Sequence, residues 1–292
     1  MPRKPNDASS ISAAEWIASV HAARDFVHAQ RLLQPQIALV LGSGLGELAD
    51  AIVHATFIPY EQIPGFSPTH AHGHAGQLVL GYLSGVPIVA LRGRSHRYEG
   101  YSSHHVQFPI HCCHALGARA LITTNAAGGL NTRFQSGDLM ILDSHIDQLW
   151  PRRSTAPPVS AHPLNSTCGR PLSPYDPHWI DLAKQLARQE DIVLHQGCYL
   201  ATLGPTYETR GEYRMFRSFG ADAVGMSTIP EVLAAAQLQM RVLAFSVITN
   251  VASTEQPQET SHDEVVETGQ AAGPALRRLI SRILEDLSGQ PD

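Results

Sequence analysis

Six short polar clusters in this chain carry residue types that turns do not need. They are Ser43 behind the apolar run I-A-L-V-L, Arg94-Ser95-His96-Arg97-Tyr98, Asn125-Ala126-Ala127-Gly128, Gly204-Pro205-Thr206-Tyr207-Glu208, Met226-Ser227-Thr228 and Thr249-Asn250. Turns are served by Gly, Asn and Asp, so Arg, His and Glu at such places call for another reason. Ser43, Arg94, His96 and Ser227 are donors of the kind that hold a phosphate group. Ser227 also stands just before a helix start marked by Pro230, where backbone N–H groups point outward. Glu208 and Asn250 are a carboxylate and an amide, a pair suited to the edge of a nucleobase because one accepts and the other both donates and accepts. Tyr207 offers an aromatic face for stacking or an apolar wall. Phosphate donors together with base-edge groups point to a nucleoside or nucleotide ligand.

The glycine loop around Ser43, L-G-S-G-L-G-E-L-A, has three readings. The dinucleotide fingerprint G-x-G-x-x-G needs its third glycine one position later than Gly46, where Glu47 stands. A bare phosphate is compatible, since glycines bring backbone N–H groups close to an anion and Ser43 adds a hydroxyl. A tight turn after a strand, with no ligand, is the third. The sequence E-L-A-D behind the loop could open a helix.

The elements that must position these groups alternate along the chain. Helical spacing of Trp16, Ile17, Val20 and Phe26 predicts an amphipathic helix over 12–33. Strands are expected at 37–41, 77–83 and 86–91, the last two joined through Ser84-Gly85 as a hairpin. A helix over 104–116 closes at Gly117, and strands follow at 118–124 and 139–142. The stretch 152–177 is rich in Pro, Ser and Thr without a period, and long irregular excursions of this kind are usually functional. Beyond it come a strand at 192–203, a helix at 209–219, a strand at 221–225, a helix at 230–240, a strand at 242–249 and a long helix at 262–287. This alternation predicts an α/β fold, a single domain over 1–292 with a central mixed, largely parallel sheet surrounded by helices. In such sheets ligands bind beyond the carboxyl ends of the strands, where the polar clusters fall.

Composition narrows the function classes. A hydrophobic content of 43% and a charged content of 16% describe a well-filled globular core. The net charge of −5 gives no footprint for nucleic acid or an anionic membrane. No apolar run approaches a membrane span, and M-P-R-K-P-N-D-A-S-S has no apolar leader, so a cytoplasmic location is expected. The four cysteines, Cys112, Cys113, Cys168 and Cys198, form no C-x-x-C pair and suggest neither a disulfide framework nor a zinc knuckle. Of sixteen histidines, seven cluster at H-A-H-G-H (70–74), at His104-His105 and in H-C-C-H (111–114). Their spacing does not compose a metal site, and none is expected; His72 and His74 are instead placed to touch an anion.

These residues resemble a known family. L-G-S-G-L-G-E-L at 41–48, H-G-H-A-G at 72–76, G-R-S-H-R-Y-E-G-Y at 93–101, T-N-A-A-G-G-L-N at 124–131, L-G-P-T-Y-E-T at 203–209, G-A-D-A-V-G-M-S-T-I-P-E-V at 220–232 and S-V-I-T-N at 246–250 are similar, in order, to the trimeric-type purine nucleoside phosphorylases acting on inosine and guanosine. The resemblance runs from about Gln36 to the C-terminal helix. It implies phosphate contacts at Ser43, His74, Arg94, His96, the backbone N–H of Ala126, and Ser227. It implies ribose contacts at Tyr98, Met226 and His262, the last toward the 5′-hydroxyl. The purine falls to Glu208 and Asn250 between walls at Tyr207 and Val224, and the catalytic roles fall to Asn250, His96 and Glu208. The implied reaction is phosphorolysis of the N-glycosidic bond with inversion, without a cofactor and with inorganic phosphate as co-substrate, in a homotrimer.

Two stretches depart from the family. Where it carries D-R-F-x-x-M-S-x-A-Y-D, whose Phe reaches a neighbouring subunit's ribose site, this chain reads G-R-P-L-S-P-Y-D at 169–176 and has no Phe. Its D-H-I-N appears here as Ser144-His145-Ile146-Asp147. Methylthioadenosine phosphorylases carry Asp at the position of Asn250, so Asn250 with Glu208 favours 6-oxopurines. Xanthosine-active members share the same motifs and stay in view. A non-catalytic nucleotide-binding protein would not need the full phosphate set, and a His-rich metallohydrolase would carry metal.

Overall fold

The computed structural model describes residues 12–69, 73–149, 173–251 and 261–288. The first expected helix forms as α1 (Ala13–Gln30). Its start is a capping box: the Ser12 hydroxyl accepts from the Glu15 N–H at 3.3 Å, and the Glu15 carboxylate accepts from the Ser12 N–H at 2.8 Å. Strand β1 (Ile37–Leu41) is buried at every position, as a strand covered on both faces must be. The glycine loop then runs into a short 3-10 helix, Gly46–Ala51, in place of the α-helix that E-L-A-D allows.

Next come β2 (Val53–Pro59), β3 (Gln77–Leu83), β4 (Val86–Arg92), α2 (Ser103–Leu116), β5 (Ala120–Gly129) and β6 (Leu139–Asp147). They are followed by α3 (Pro177–Gln189), β7 (Leu194–Ala201), α4 (Arg210–Ser218), β8 (Ala223–Gly225), α5 (Ile229–Gln237), β9 (Arg241–Val251) and α6 (His262–Ser288). The expected β3–β4 hairpin is present, antiparallel from Gln77–Arg92 to Leu83–Val86. Two elements are absent from the pattern-based expectation. β2 is an edge strand whose side chains are mostly exposed or half-buried, so its sequence shows no alternation. Residues 152–172 of the stretch expected to be irregular lie outside the described residues, and α3 begins at Pro177, where that stretch ends. Its signal is local: Asp176 accepts from the Trp179 N–H at 3.1 Å and Pro177 occupies the first turn.

The nine strands form one mixed sheet in the order β2-β3-β4-β1-β5-β8-β7-β6-β9, and β9 also pairs with β5. Strands β5, β8, β7, β6 and β9 therefore close on themselves, while β2, β3, β4 and β1 extend from them as an open wing. Pairings of β1 with β4 and β5, of β5 with β9, and of β7 with β6 and β8 are parallel. The β2–β3, β3–β4, β5–β8 and β6–β9 pairings are antiparallel. One main buried apolar cluster runs from Trp16 to Leu284. Among the described residues no helix is long and apolar enough to cross a membrane.

β6 runs on to Asp147, past the expected end at 142, and two further extensions concern the site. N-A-A-G-G belongs to β5 itself rather than to a loop beyond it, and β9 continues through Asn250 to Val251. Parallel pairing of the two strands carries the ladder onward, with Gly128 opposite Asn250 after a register shift between Ala127 and Gly128. An irregularity of this kind re-aims the side chains that follow it.

Candidate active site

All thirteen residues expected at the site line one cavity, open to solvent. Ser43 and His74 meet at one end: Ser43 Oγ lies 3.1 Å from His74 Nε2. His74 Nδ1 lies 3.0 Å from the backbone nitrogen and 2.8 Å from the carbonyl oxygen of Arg94, which pins the ring whichever nitrogen carries its proton. Burial pushes the His74 pKa down to about 3, with neighbouring His96 adding to the effect, so the ring is neutral at ordinary pH. Gly93 is required beside it. Its φ is +101°, and a Cβ there would stand 2.7 Å from that of His74.

His96 is held by Glu99, whose Oε1 accepts from the His96 backbone N–H at 2.7 Å and from Nδ1 at 3.0 Å. A carboxylate accepts only, so the proton sits on Nδ1 and Nε2 is left as an acceptor. Burial lowers the pKa of His96, while Glu99 opposes the shift. Tyr98 stacks on the imidazole at 4.8 Å between ring centroids. Its phenol is pushed up to about 12, chiefly by burial, and stays protonated.

Arg94 is buried and turned into the protein interior. Its Nη1 donates to Glu231 Oε2 at 3.0 Å and to Thr228 Oγ1 at 3.1 Å, and Nη2 donates to the Thr124 carbonyl. Thr123 Oγ1 also donates to Glu231 at 3.1 Å, and Asn125 Nδ2 donates to Thr228 Oγ1 at 2.9 Å. Burial raises the pKa of Glu231; Arg94 and Thr123 oppose it. Arg94 Nε and Asn125 Oδ1 are buried without a hydrogen-bond partner, an unusual cost for native groups. Thr228 caps α5 at φ +73°, a sparse region for a β-branched residue, and such strain gathers at functional sites. Ser227 beside it lines the cavity.

The same cavity is also lined by the base-edge candidates. Asn250 projects over Gly128: a Cβ at that glycine would stand 3.7 Å from Asn250 Oδ1 and 3.8 Å from Nδ2. Thr249 Oγ1 stands between two acceptors, Asn250 Oδ1 at 3.2 Å and the Ala127 carbonyl oxygen at 3.3 Å, which ties Asn250 to the end of β5. Glu208 accepts from Thr202 Oγ1 at 3.2 Å, and burial raises its pKa. Val224, Met226, Ala126, Tyr207 and, from the first turns of α6, His262 and Val265 also line it, and so does Tyr213 of α4, which the sequence reading did not name.

Sequence pattern gives no place to Glu99 or Glu231, and it names Asn125, Gly128 and Thr228 only as members of the polar clusters, without a role. Their weight comes from partners 3 to 137 positions away, and only the S-T-I-P-E helix start hinted at Thr228. Among the described residues no three His, Cys, Asp or Glu side chains gather as a metal-ligating group. His111 packs edge-on against Trp16 at 5.3 Å. His72, and residues 169–172 of the stretch that departs from the family, lie outside the described residues.

With this geometry in place, comparison with known proteins is decisive. Residues 36–285 match the model of the phosphorylase superfamily. Purine nucleoside phosphorylase 1 of Bacillus subtilis (strain 168) is 45% identical over 252 residues, covering 86% of this chain and 92% of the relative. The chain belongs to the purine nucleoside phosphorylase family. The phosphorylase of Rattus norvegicus is 38% identical over 297 residues, 94% of this chain and 93% of the other. Two solved structures show the same fold. The Schistosoma mansoni phosphorylase in complex with adenosine has a TM-score of 0.81 at 35% identity, covering 94% of this chain and 99% of its own. The schistosoma enzyme in complex with hypoxanthine has a TM-score of 0.83 at 35% identity, covering 97% and 100%. The mixed α/β sheet surrounded by helices is thus a phosphorylase fold, and the glycine loop's dinucleotide reading falls away.

Proposed function

We propose that this chain catalyses the reversible phosphorolysis of 6-oxopurine ribo- and deoxyribonucleosides, inosine and guanosine among them, to the free base and the pentose 1-phosphate. The observation that carries the reading is the union of two unlike sets of groups in one cavity: Ser43, His74, Arg94, His96 and Ser227 in one, Glu208 and Asn250 in the other. Phosphate sits among the first group with the Ala126 N–H. Neutral His96, its Nδ1–H committed to Glu99, accepts the P–O–H of phosphate at Nε2. Tyr98, Met226 and His262 hold the ribose, and Tyr207 and Val224 flank the base.

As the glycosidic bond lengthens, the ribose gains oxocarbenium character and the purine gathers negative charge. Asn250 Nδ2 donates to that charge as it forms, which is how a hydrogen bond raises rate. Glu208 accepts from the ring N–H of a 6-oxopurine. The enzyme works without a cofactor or metal, in the cytoplasm, as a homotrimer in purine salvage.

One panel tests this reading: inosine, guanosine, xanthosine, adenosine and methylthioadenosine, each with and without phosphate. Inosine and guanosine are expected to release base only with phosphate. Equal turnover in phosphate-free buffer would make the enzyme a hydrolase, and preference for adenosine would overturn the base assignment. Adenosine belongs in the panel because the solved Schistosoma mansoni relative holds it.

A further inference from the structure

Helix α6 touches the site twice. His262 and Val265 in its first turns line the cavity. One turn further on, Gly269 lies against the phosphate loop: a Cβ at Gly269 would stand 3.0 Å from the Ser43 carbonyl oxygen and 3.2 Å from Gly44 Cα. The contact is tight from the other side too. A Cβ at Gly44 would meet the Val266 carbonyl oxygen at 2.6 Å and Gly269 Cα at 3.0 Å, and Gly44 has φ +74°. These neighbours are backbone atoms, which cannot swing aside as a side chain would. A second glycine four residues along, Gly273, has nothing within 4 Å of a built Cβ. Glycine in a helix interior costs stability; at Gly273 the local reason is Pro274, whose ring crowds a preceding Cβ, whereas at Gly269 it is the contact with the loop.

We infer that Gly269 is a positioning residue, setting the distance between the helix that carries His262 and Val265 and the loop that carries Ser43. Two parts of the substrate pair depend on that distance: the ribose, held from α6, and the phosphate, held from the loop. A helix is stiff over two turns, so any shift at Gly269 displaces His262 with it. Binding at one end then alters affinity at the other, and linkage makes the effect equal in both directions. The inference rests on the assignment of phosphate to Ser43.

The test compares Gly269→Ala, Gly273→Ala and Ser43→Ala, with KM for phosphate and for inosine, kcat and Tm measured for each. Gly269→Ala is expected to raise both KM values about tenfold. Gly273→Ala is expected to leave both unchanged whatever its Tm, because the gain from removing a helical glycine is opposed by crowding between the new Cβ and Pro274. Loss of folded enzyme alone would lower apparent kcat at unchanged KM, which a positioning role does not predict. KM does not depend on how much of the enzyme is folded, so the folded fraction keeps the measurement open if Gly269→Ala folds poorly. Wild-type KM values in a folded Gly269→Ala protein would overturn the inference, and so would a Gly269→Ala protein with no folded fraction, since the contact would then serve stability alone. Unchanged phosphate KM in Ser43→Ala would instead refute the phosphate assignment, which separates the two failures.

Discussion

Asn250 shows how much one side chain's surroundings decide. Its amide stands over Gly128 because that glycine has no side chain, and its Oδ1 lies 3.2 Å from the Thr249 hydroxyl. Removal of a donor aimed at developing charge costs about 10²–10³ in kcat. Asn250→Ala is therefore expected to lose inosine turnover by that factor while its Tm stays near that of the wild type. Asn250→Asp supplies an acceptor toward a 6-amino group, so the ratio of kcat/KM for adenosine over inosine should rise. A variant that loses stability but keeps its inosine rate would reduce Asn250 to a strand-end cap.

At the scale of elements, the start of α5 and the packing of α1 on α2 carry separable effects. Thr228 holds Arg94 and Asn125 through one oxygen while its backbone sits at positive φ. Thr228→Ser keeps the oxygen and is expected to retain activity. Thr228→Val keeps the shape but strips a charged donor of its acceptor, worth about 1.5–3 kcal/mol. Its KM for phosphate should rise roughly ten- to a hundredfold, and an unchanged KM would remove Thr228 from the phosphate end.

On α2, burial pushes the pKa of His111 down to about 4, further lowered by His114 and His104. The unfolded chain, with an ordinary imidazole near 6.5, binds that proton first. Stability is thus full above about pH 6.5 and falls as pH drops toward 4, by up to roughly 1.4 kcal/mol per unit for this one group. His111→Gln, examined by urea denaturation between pH 4 and 7, should flatten that slope; an unaltered slope would place the acid sensitivity elsewhere.

For the molecule as a whole, assembly is the open question that matters to function. The cavity is open, and Leu203, Tyr207, Met215 and Phe219 are exposed on α4 and its flanks although all are apolar or aromatic. Apolar exposure of this kind marks interaction surfaces. Sedimentation at assay concentration is expected to give a trimer. Full activity from a monomer would show that each cavity is sufficient alone.

Residue types at spaced clusters pointed to the ligand class and to most of the lining groups, while Val224 and His262 came only from the family resemblance; phosphate and a base edge each demand particular donors and acceptors wherever they lie in the chain. Periodicity determined most elements for the same reason: a buried strand such as β1 or a helix such as α6 writes its environment into a local pattern. What the sequence left undecided are relations across distance. N-A-A-G-G reads as a turn, yet it continues as strand because β9 is there to pair with it, from Ala120–Arg241 to Gly129–Val251. Arg94 reads as a free phosphate donor, yet in the fold its charge is held by Glu231, 137 positions away. Gly273 is explained by Pro274 beside it in the sequence, and only the approach of the phosphate loop explains Gly269. Composition and period are properties of neighbours in the chain; counter-ions, strand extension and close approach are made by the packing of segments the chain separates.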